Sequence, residues 1–193
     1  SILKQILTIL REEQPEVGLL INASGFGKFG RYDQIPLQDS LDMIDLNCRA
    51  LVQITQLTLP YLEKGAHVIQ IDSLSAFQPV PYLGVYGATK AFVLSYSRSL
   101  NAELAPREIH MMAFCPGWVK TEFFDHAEQT SKTAVTYFNQ LFTAREVVAC
   151  ALRDSARGRD VCVPGFRIKL QVLLTKLLPH RLGTPESAAR RGP

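Results

Sequence analysis

The 193-residue chain lacks the marks of membrane, secreted and metal-cluster proteins. No apolar run approaches the ~18–20 residues that span a bilayer, and no charged start precedes an apolar core as in a signal peptide. The four cysteines, at positions 48, 115, 150 and 162, form no C-x-x-C pair and have no histidine at ligand spacing. We therefore expect no bound metal, no disulfide framework, and a cytoplasmic protein with reduced thiols.

The chain also has little net charge. A value of +3 does not by itself indicate a nucleic-acid partner, and we expect none. Residues 151–193 hold nine Lys and Arg against three Asp and Glu, whereas residues 1–150 hold twelve against fifteen. This positive end could face a phosphate or a lipid, but a solvated basic tail is the favoured interpretation. Length and composition predict one domain over residues 1–182, with residues 183–193 as a disordered tail.

Helix and strand patterns alternate along the chain. Periodicity and turn residues predict helices over 2–13, 38–63 (bent, ending near Lys64 and Gly65), 84–104, 144–157 and 166–178. Short apolar runs predict strands over Val17–Asn22, His67–Asp72, Ile109–Cys115 and Asp160–Val163. Thr143 and Glu146 form a capping-box pattern at the start of the fourth helix. This alternation predicts an α/β fold with a parallel sheet and right-handed crossovers.

Polar residues follow the predicted strands, where open parallel sheets bind their ligands. Tyr86 and Lys90 lie four residues apart on a predicted helix, so they share one face. A neighbouring ammonium lowers the pKa of a phenol, which prepares tyrosine for proton transfer. Ser73 ends a strand thirteen residues earlier and can donate a hydrogen bond to the same substrate oxygen. Taken alone, a Y-x-x-x-K pair is more often a solvated pair on a helix surface.

The motifs around this pair make the pattern specific. Their order along the chain is Asn22-Ala23-Ser24-Gly25 after a strand, Asn47 in a helix, Ser73 after the next strand, Tyr86-x-x-x-Lys90, and Pro116-Gly117-x-Val119-x-Thr121. This series resembles the short-chain dehydrogenase/reductase family over roughly residues 1–165. The resemblance implies a Rossmann-like, doubly wound parallel sheet, and hydride transfer between NAD or NADP and a carbonyl or secondary alcohol.

The resemblance also implies a role for each matching residue. Tyr86 would be the general acid or base, Lys90 would lower its pKa and hold the nicotinamide ribose, and Ser73 would polarise the substrate oxygen. Asn47 would kink its helix and anchor a water that relays protons to Lys90. Besides Tyr86 and Lys90, the cofactor would meet the matching residues of the other two motifs: Asn22, Ala23, Ser24, Gly25, Pro116, Gly117, Val119 and Thr121.

The chain departs from the family pattern in three places. Ser24 replaces a usual Ala and Asp72 a common Ser, which are mild changes. The third departure is larger, because the T-G-x-x-x-G-x-G turn that holds the pyrophosphate does not occur. The glycine cluster from Gly25 to Gly30 precedes a loop rather than a helix, so it does not replace that turn. NAD and NADP therefore cannot be told apart.

The missing turn leads to an expectation about completeness. The chain begins with Ser rather than Met, at the helix before the family's fourth strand. We therefore expect a fragment or processed product that lacks about three strands. Strand Val17–Asn22 would then be an exposed apolar edge, which we expect another copy of the chain to cover in a homo-oligomer. A non-catalytic interaction fragment is the alternative to an oxidoreductase.

The expected substrate is a small, lipophilic carbonyl or alcohol. Apolar and aromatic residues are concentrated in the two segments that should form its cleft: Phe77, Val80, Tyr82, Trp118, Phe123 and Phe124. The basic, apolar helix 166–178 could contact a membrane or cap the cleft. Packing on its own domain or on a partner subunit is the favoured interpretation.

Overall fold

A parallel sheet forms the centre of the computed structural model, which describes residues 2–120 and 142–177. Its strands are β1 (Val17–Asn22), β2 (Leu62–Ile71), β3 (His110–Phe114) and β4 (Val161–Cys162). The helices are α1 (Ile2–Glu13), α2 (Leu37–Ile44), α3 (Leu51–Thr58), α4 (Gly84–Leu104), α5 (Ala144–Ala156) and α6 (Phe166–Leu177). A π-helical segment, Asp45–Ala50, joins α2 to α3. Proposed tail residues 183–193 lie outside this range.

Helices cover both faces of the sheet. The strand order is β1-β2-β3-β4, and every neighbouring pair is parallel. Consecutive residues of β3 point to opposite faces, as strand geometry requires. Met111 packs with Leu100 and Leu104 of α4, whereas Met112 packs with Val147 and Ala151 of α5. The predicted doubly wound, Rossmann-like arrangement is thus confirmed.

The bent helix predicted over 38–63 is divided into three parts, and its end was predicted wrongly. After α3, a short 3-10 turn carries Pro60, and β2 already begins at Leu62. Proline has no N–H for a helical hydrogen bond, so the helix ends there.

The pairing of β1 with β2 shifts register between Val17 and Leu19, opposite the Gly65 turn of β2 with φ of +84°. The predicted capping box of α5 is present, since Thr143 Oγ1 accepts a hydrogen bond from the Glu146 N–H at 3.3 Å.

Apolar side chains remain exposed at the sheet edge and along α6. β1 pairs only with β2 in the described residues, and Leu19 and Ile21 are nearly half exposed. Helix α6 packs on the sheet through Ile168 and Val172, which agrees with the favoured interpretation of this helix. Among residues 2–120 and 142–177, no helix is both long and apolar enough to cross a membrane.

Candidate active site

The carboxyl ends of β2 and β3 are held side by side by backbone hydrogen bonds. The Asp72 N–H donates to the Phe114 carbonyl at 2.7 Å, and the Leu74 N–H donates to the Pro116 carbonyl at 3.1 Å. Ser73 lies between these two bonds with an extended backbone, and its Oγ accepts from the Ser75 N–H at 3.2 Å. Two predicted site segments, one at Ser73 and one at Pro116, therefore meet at one edge of the sheet.

Helix α4 brings Tyr86 and Lys90 to the same edge. The Lys90 Nζ lies 5.7 Å from the centroid of the Tyr86 ring, so the predicted shared face is present. Both side chains are buried. Lys90 Nζ donates a 2.9 Å hydrogen bond to the Ile71 carbonyl at the end of β2, which fixes the ammonium beside the strand that carries Ser73.

The expected lowering of the Tyr86 pKa by Lys90 is not observed. Burial raises the pKa of Tyr86 above its ordinary value, and a hydrogen bond with Ser73 offsets only part of that increase. Burial also lowers the pKa of Lys90, which the negative charge of Asp72 partly counteracts. Tyr86 is therefore a neutral phenol at neutral pH, suited to donate a proton rather than to accept one.

Asn47 lies in the π-helical segment and is almost fully buried. Its Nδ2 donates to the Phe26 carbonyl at 2.9 Å and to Thr89 Oγ1 at 3.1 Å. Its Oδ1 accepts from the Phe26 N–H at 3.1 Å. Asn47 thus links the loop after β1 to α4. The π-helical segment around it is a distortion of the helix at the position where the resemblance implied a kink. Such π segments are frequent at functional sites.

Gly25 allows that loop to approach Asn47 and Lys90. A Cβ at this position would lie 3.0 Å from Asn47 Oδ1 and 3.6 Å from Lys90 Nζ. Any larger side chain would displace one of these two groups. Of the other residues in this motif, Ala23 and Ser24 are exposed, so they are accessible to a ligand.

The side chain of Asn22 forms hydrogen bonds with other side chains of the protein. Its Nδ2 donates to Thr55 Oγ1 and to Gln70 Oε1, both at 2.9 Å. Gln70 Nε2 also donates to Thr55 Oγ1, at 3.0 Å, and this triad joins β1, β2 and α3. The Asn22 side chain therefore stabilises the sheet at the base of the site. This buried network was not anticipated, because its three members are far apart in the sequence.

The predicted motif after β3, which runs from Pro116 to Thr121, is described as far as residue 120. Pro116 and Gly117 directly follow the strand end, and a Cβ on Gly117 would lie 3.3 Å from Leu74 Cδ1 and 3.2 Å from Ile168 Cδ1. Val119 forms an isolated parallel bridge with Phe142. Thr121, Phe123 and Phe124, predicted for this site, lie outside the described residues.

An aromatic cluster borders Tyr86. Phe29 is buried, and its ring centroid lies 6.1 Å from that of Tyr86 and 6.0 Å from that of Trp118. Trp118 and Val80 were predicted for the cleft, and both pack here. Phe29 was missed, although its place next to Gly30 in a glycine-rich loop is a usable signal. Tyr82 has a left-handed φ of +67°, and its carbonyl accepts from the Gly30 N–H at 3.0 Å.

Asp72, a mild departure from the family pattern in the sequence, is a buried acid next to Ser73. Its Oδ2 accepts a 3.4 Å hydrogen bond from the Cys115 thiol, while its buried Oδ1 accepts none from a side chain of residues 2–120 and 142–177. Burial raises the pKa of Asp72 to about 7, despite the opposing effect of the Lys90 ammonium. The carboxyl group therefore changes charge near neutral pH beside the buried Lys90.

We expect Asp72→Asn to change how stability depends on pH. Because the carboxyl pKa rises from 3.8 to about 7 on folding, its stabilising contribution is complete below 3.8 and is lost as pH rises through 7. The free energy of unfolding of the wild type should therefore fall by about 2 kcal/mol between about pH 5 and about pH 8 relative to that of Asp72→Asn, which lacks the titrating group. Urea unfolding at both pH values measures this. Asp42→Asn, at an exposed carboxylate of α2, is the control, and parallel profiles for Asp72→Asn and wild type would contradict the expectation.

Comparison with known proteins places this arrangement in a family. The family model described as short chain dehydrogenase matches residues 2–132. A probable short-chain type dehydrogenase/reductase VdlC from Helicobacter pylori is 23% identical over 198 residues, covering 92% of this chain and 72% of that protein. Serine 3-dehydrogenase from Rhizobium radiobacter is 34% identical over 124 residues, covering 62% of this chain and 49% of that protein.

A solved structure has the same fold. The short-chain dehydrogenase from Sphingobium yanoikuyae in complex with NADPH superimposes with a TM-score of 0.75 at 27% identity, covering 91% of this chain and 68% of that one. For several curated relatives the match spans about half of the relative's length or less, for example 46% of an oxidoreductase from Staphylococcus epidermidis. The chain belongs to the short-chain dehydrogenase/reductase family of oxidoreductases.

Proposed function

We propose that the protein to which this chain belongs is an NAD(P)-dependent oxidoreductase that interconverts a carbonyl and a secondary alcohol. The observation that carries this proposal is the buried Tyr86 beside Lys90, with a hydrogen bond to Ser73 at the carboxyl ends of β2 and β3. A buried proton donor with a neighbouring hydroxyl and cation is suited to protonate an oxygen that becomes negatively charged.

Four residues of the site take part in the proposed reaction. Tyr86 donates its phenolic proton to the substrate oxygen during reduction and takes it back during oxidation. Ser73 holds the same oxygen by a hydrogen bond, and its contact with Tyr86 aligns the two hydroxyl groups. Lys90, anchored on the Ile71 carbonyl, supplies positive charge that stabilises a phenolate when Tyr86 has given up its proton. Asn47 positions the Gly25 loop and α4 around this group.

The described residues fit the nicotinamide end of NAD or NADP. Gly25 allows its loop to lie against Asn47 and Lys90, since a Cβ there would lie 3.0 Å from Asn47 Oδ1 and 3.6 Å from Lys90 Nζ, so a ribose held by Lys90 would lie beside this loop. Lys90 and Tyr86 would hold the ribose, and the backbone of Pro116, Gly117 and Val119 would cover the carboxamide. When bound, the nicotinamide would supply or accept the hydride. The complex of the Sphingobium relative with NADPH supports this choice of cofactor.

The proposed substrate is a lipophilic ketone, aldehyde or secondary alcohol. Trp118 and Val80 are partly exposed and pack on the buried Phe29 next to Tyr86, which favours burial of a hydrocarbon group rather than a sugar or an ion. The Tyr82 backbone, held by Gly30 in the left-handed region, keeps the two loops of this cluster together. The hydrogen bond between these loops holds the apolar side chains of the proposed cleft next to one another.

Binding of the reduced cofactor tests the proposal and its alternative. We expect NADH or NADPH fluorescence to increase and shift to shorter wavelength when the chain is added, because the nicotinamide enters an apolar site. Gly25→Val is the matched variant, since its side chain would overlap Asn47 Oδ1, and it should abolish the change. Fluorescence that does not change with wild-type chain would favour the second hypothesis, a non-catalytic interaction fragment of this fold.

We also propose that the chain forms a homo-oligomer through its exposed sheet edge. Leu19 and Ile21 of β1 are nearly half exposed on a strand that pairs only with β2 among residues 2–120 and 142–177, a surface that promotes strand pairing between chains. We expect light scattering to give at least twice the chain mass of 21.5 kDa. Ile21→Lys should lower that mass, and a wild-type monomer at micromolar concentration would contradict the proposal.

A further inference from the structure

Three potential metal ligands meet between α5 and the end of β4, outside the residues assigned to the active site. Cys150 and Asp154 lie four residues apart on α5, so they share a face of that helix. Cys162 ends β4 directly opposite them. One ligand atom from each of the three residues lies within 4.8 Å of the others, and the two Sγ atoms are 3.6 Å apart.

The Asp154 carboxylate gives an independent reason to expect a ligand here. Its side chain is 3% exposed, yet Oδ2 accepts no hydrogen bond from the described part of the chain. The cation that forms an ion pair with this oxygen, Arg159 Nη1, lies 3.7 Å away, beyond hydrogen-bond distance. A buried carboxylate oxygen without a hydrogen bond is costly, whereas coordination of a cation would remove that cost.

We propose that Cys150, Asp154 and Cys162 bind one divalent cation of the zinc class, with a fourth position open on the side of the partly exposed Cys150. In a tetrahedral site with Zn–S bonds of about 2.3 Å, two sulfur ligands lie about 3.8 Å apart. The observed separation of 3.6 Å is close to that spacing. Thiolate ligands favour zinc-class ions over magnesium and calcium, which prefer sites made of oxygen atoms alone.

The surroundings also fit the charge of such a complex. Binding releases one proton from each thiol, so two thiolates and one carboxylate carry three negative charges against the two positive charges of the ion. Arg153 Nη2 lies 3.3 Å from Cys150 Sγ and donates to it, while Arg153 Nε lies 3.6 Å from Asp154 Oδ1. The Arg153 and Arg159 guanidinium groups therefore offset the remaining negative charge and orient two of the ligands.

Cobalt(II) titration of the reduced, metal-free 193-residue chain under nitrogen tests this site. We expect the near-ultraviolet sulfur-to-cobalt charge-transfer band and the visible bands of tetrahedral cobalt to rise until one equivalent is bound. Zinc should then displace the cobalt. Cys150→Ser, at a partly exposed position that tolerates the change, should weaken binding by at least about tenfold. Cys48→Ser removes a thiol outside the cluster and should leave the titration unchanged.

Several results would overturn the proposal. They are the absence of a charge-transfer band in the wild type, a band that Cys150→Ser retains at full strength, and a band that Cys48→Ser loses. A reduced chain that takes up no cobalt, yet loses two of its four thiols to oxidised glutathione, would also overturn it. In that reaction Cys150 and Cys162 give two electrons and two protons to the glutathione disulfide, and the pair is a redox pair instead of a metal site.

Discussion

Tyr86→Phe should lower turnover by about 100-fold to 10,000-fold while changing the affinity for reduced cofactor by less than about tenfold, because Lys90 would still hold the ribose. The substitution removes one oxygen from a buried ring and keeps the contact with Phe29 at 6.1 Å. Because burial keeps the Tyr86 phenol protonated at neutral pH, this oxygen carries the proton that a newly formed alkoxide requires. Without it, the nearest remaining hydroxyl is that of Ser73, whose alcohol proton is much less acidic.

Two measurements on the same preparation check this expectation. Turnover is followed by cofactor absorbance with a panel of lipophilic ketones and secondary alcohols, and cofactor affinity is followed by fluorescence. Tyr96→Phe is the matched control, because Tyr96 lies on the same helix and its hydroxyl contacts only Gln56 Nε2, at 3.2 Å, in the hydrogen bonds described. Turnover by Tyr86→Phe within tenfold of the wild-type rate would refute the assigned role of Tyr86.

Thr55→Val should destabilise the fold by about 2–4 kcal/mol, because two amide donors lose their shared acceptor. Thr55 is fully buried, and its Oγ1 accepts hydrogen bonds from Asn22 Nδ2 and Gln70 Nε2. Valine has nearly the same shape but cannot accept a hydrogen bond. The fully buried Gln70 amide would then remain desolvated at the junction of β1, β2 and α3, while Asn22 Nδ2 would keep only its hydrogen bond to Gln70 Oε1.

The same helix offers a control for this substitution. Thr58 is also buried, but in the described part of the chain its hydroxyl forms one hydrogen bond, to the Ile54 carbonyl at 2.8 Å within the same helix. Thr58→Val should therefore change the free energy of unfolding by less than about 1 kcal/mol. Urea denaturation of both variants and the wild type gives the comparison. Equal destabilisation by the two variants would show that the amide triad contributes no more than an ordinary helical hydroxyl.

The fold could be predicted because its signals are local. Each of the four strands contains a short apolar run, although β2 begins at Leu62, five residues before the predicted start at His67, and the Thr143 capping box marked the start of α5 correctly. The predicted ends of helices and strands were less accurate where two sequence signals compete. The residues around Gly65 continue a helical pattern in the sequence, yet Pro60 ends the helix earlier and β2 takes the residues from Leu62 onward.

The candidate site was only partly predictable, for a physical reason. The Tyr86 and Lys90 pair is set by helix geometry, so its spacing in the sequence carries over directly to the structure. Its electrostatics depend on burial, which no spacing reveals, and the pKa of Tyr86 therefore shifted opposite to the expectation. Sequence spacing also does not reveal the contacts of Phe29 or the cluster of Cys150, Asp154 and Cys162, because these contacts depend on how the chain folds.

The π-helical segment Asp45–Ala50 has a consequence for insertions and deletions in this family. A π turn holds about one residue more than an α turn, and the widened turn absorbs that residue. Deleting one residue here would therefore restore regular α geometry with little change in the buried faces of α2 and α3. The loss would fall on Asn47, whose hydrogen bonds to the Phe26 backbone and to Thr89 depend on its place in this segment. Relatives that keep this site should therefore align through these six residues without a gap, whereas the exposed loop at residues 31–34 is free to vary in length.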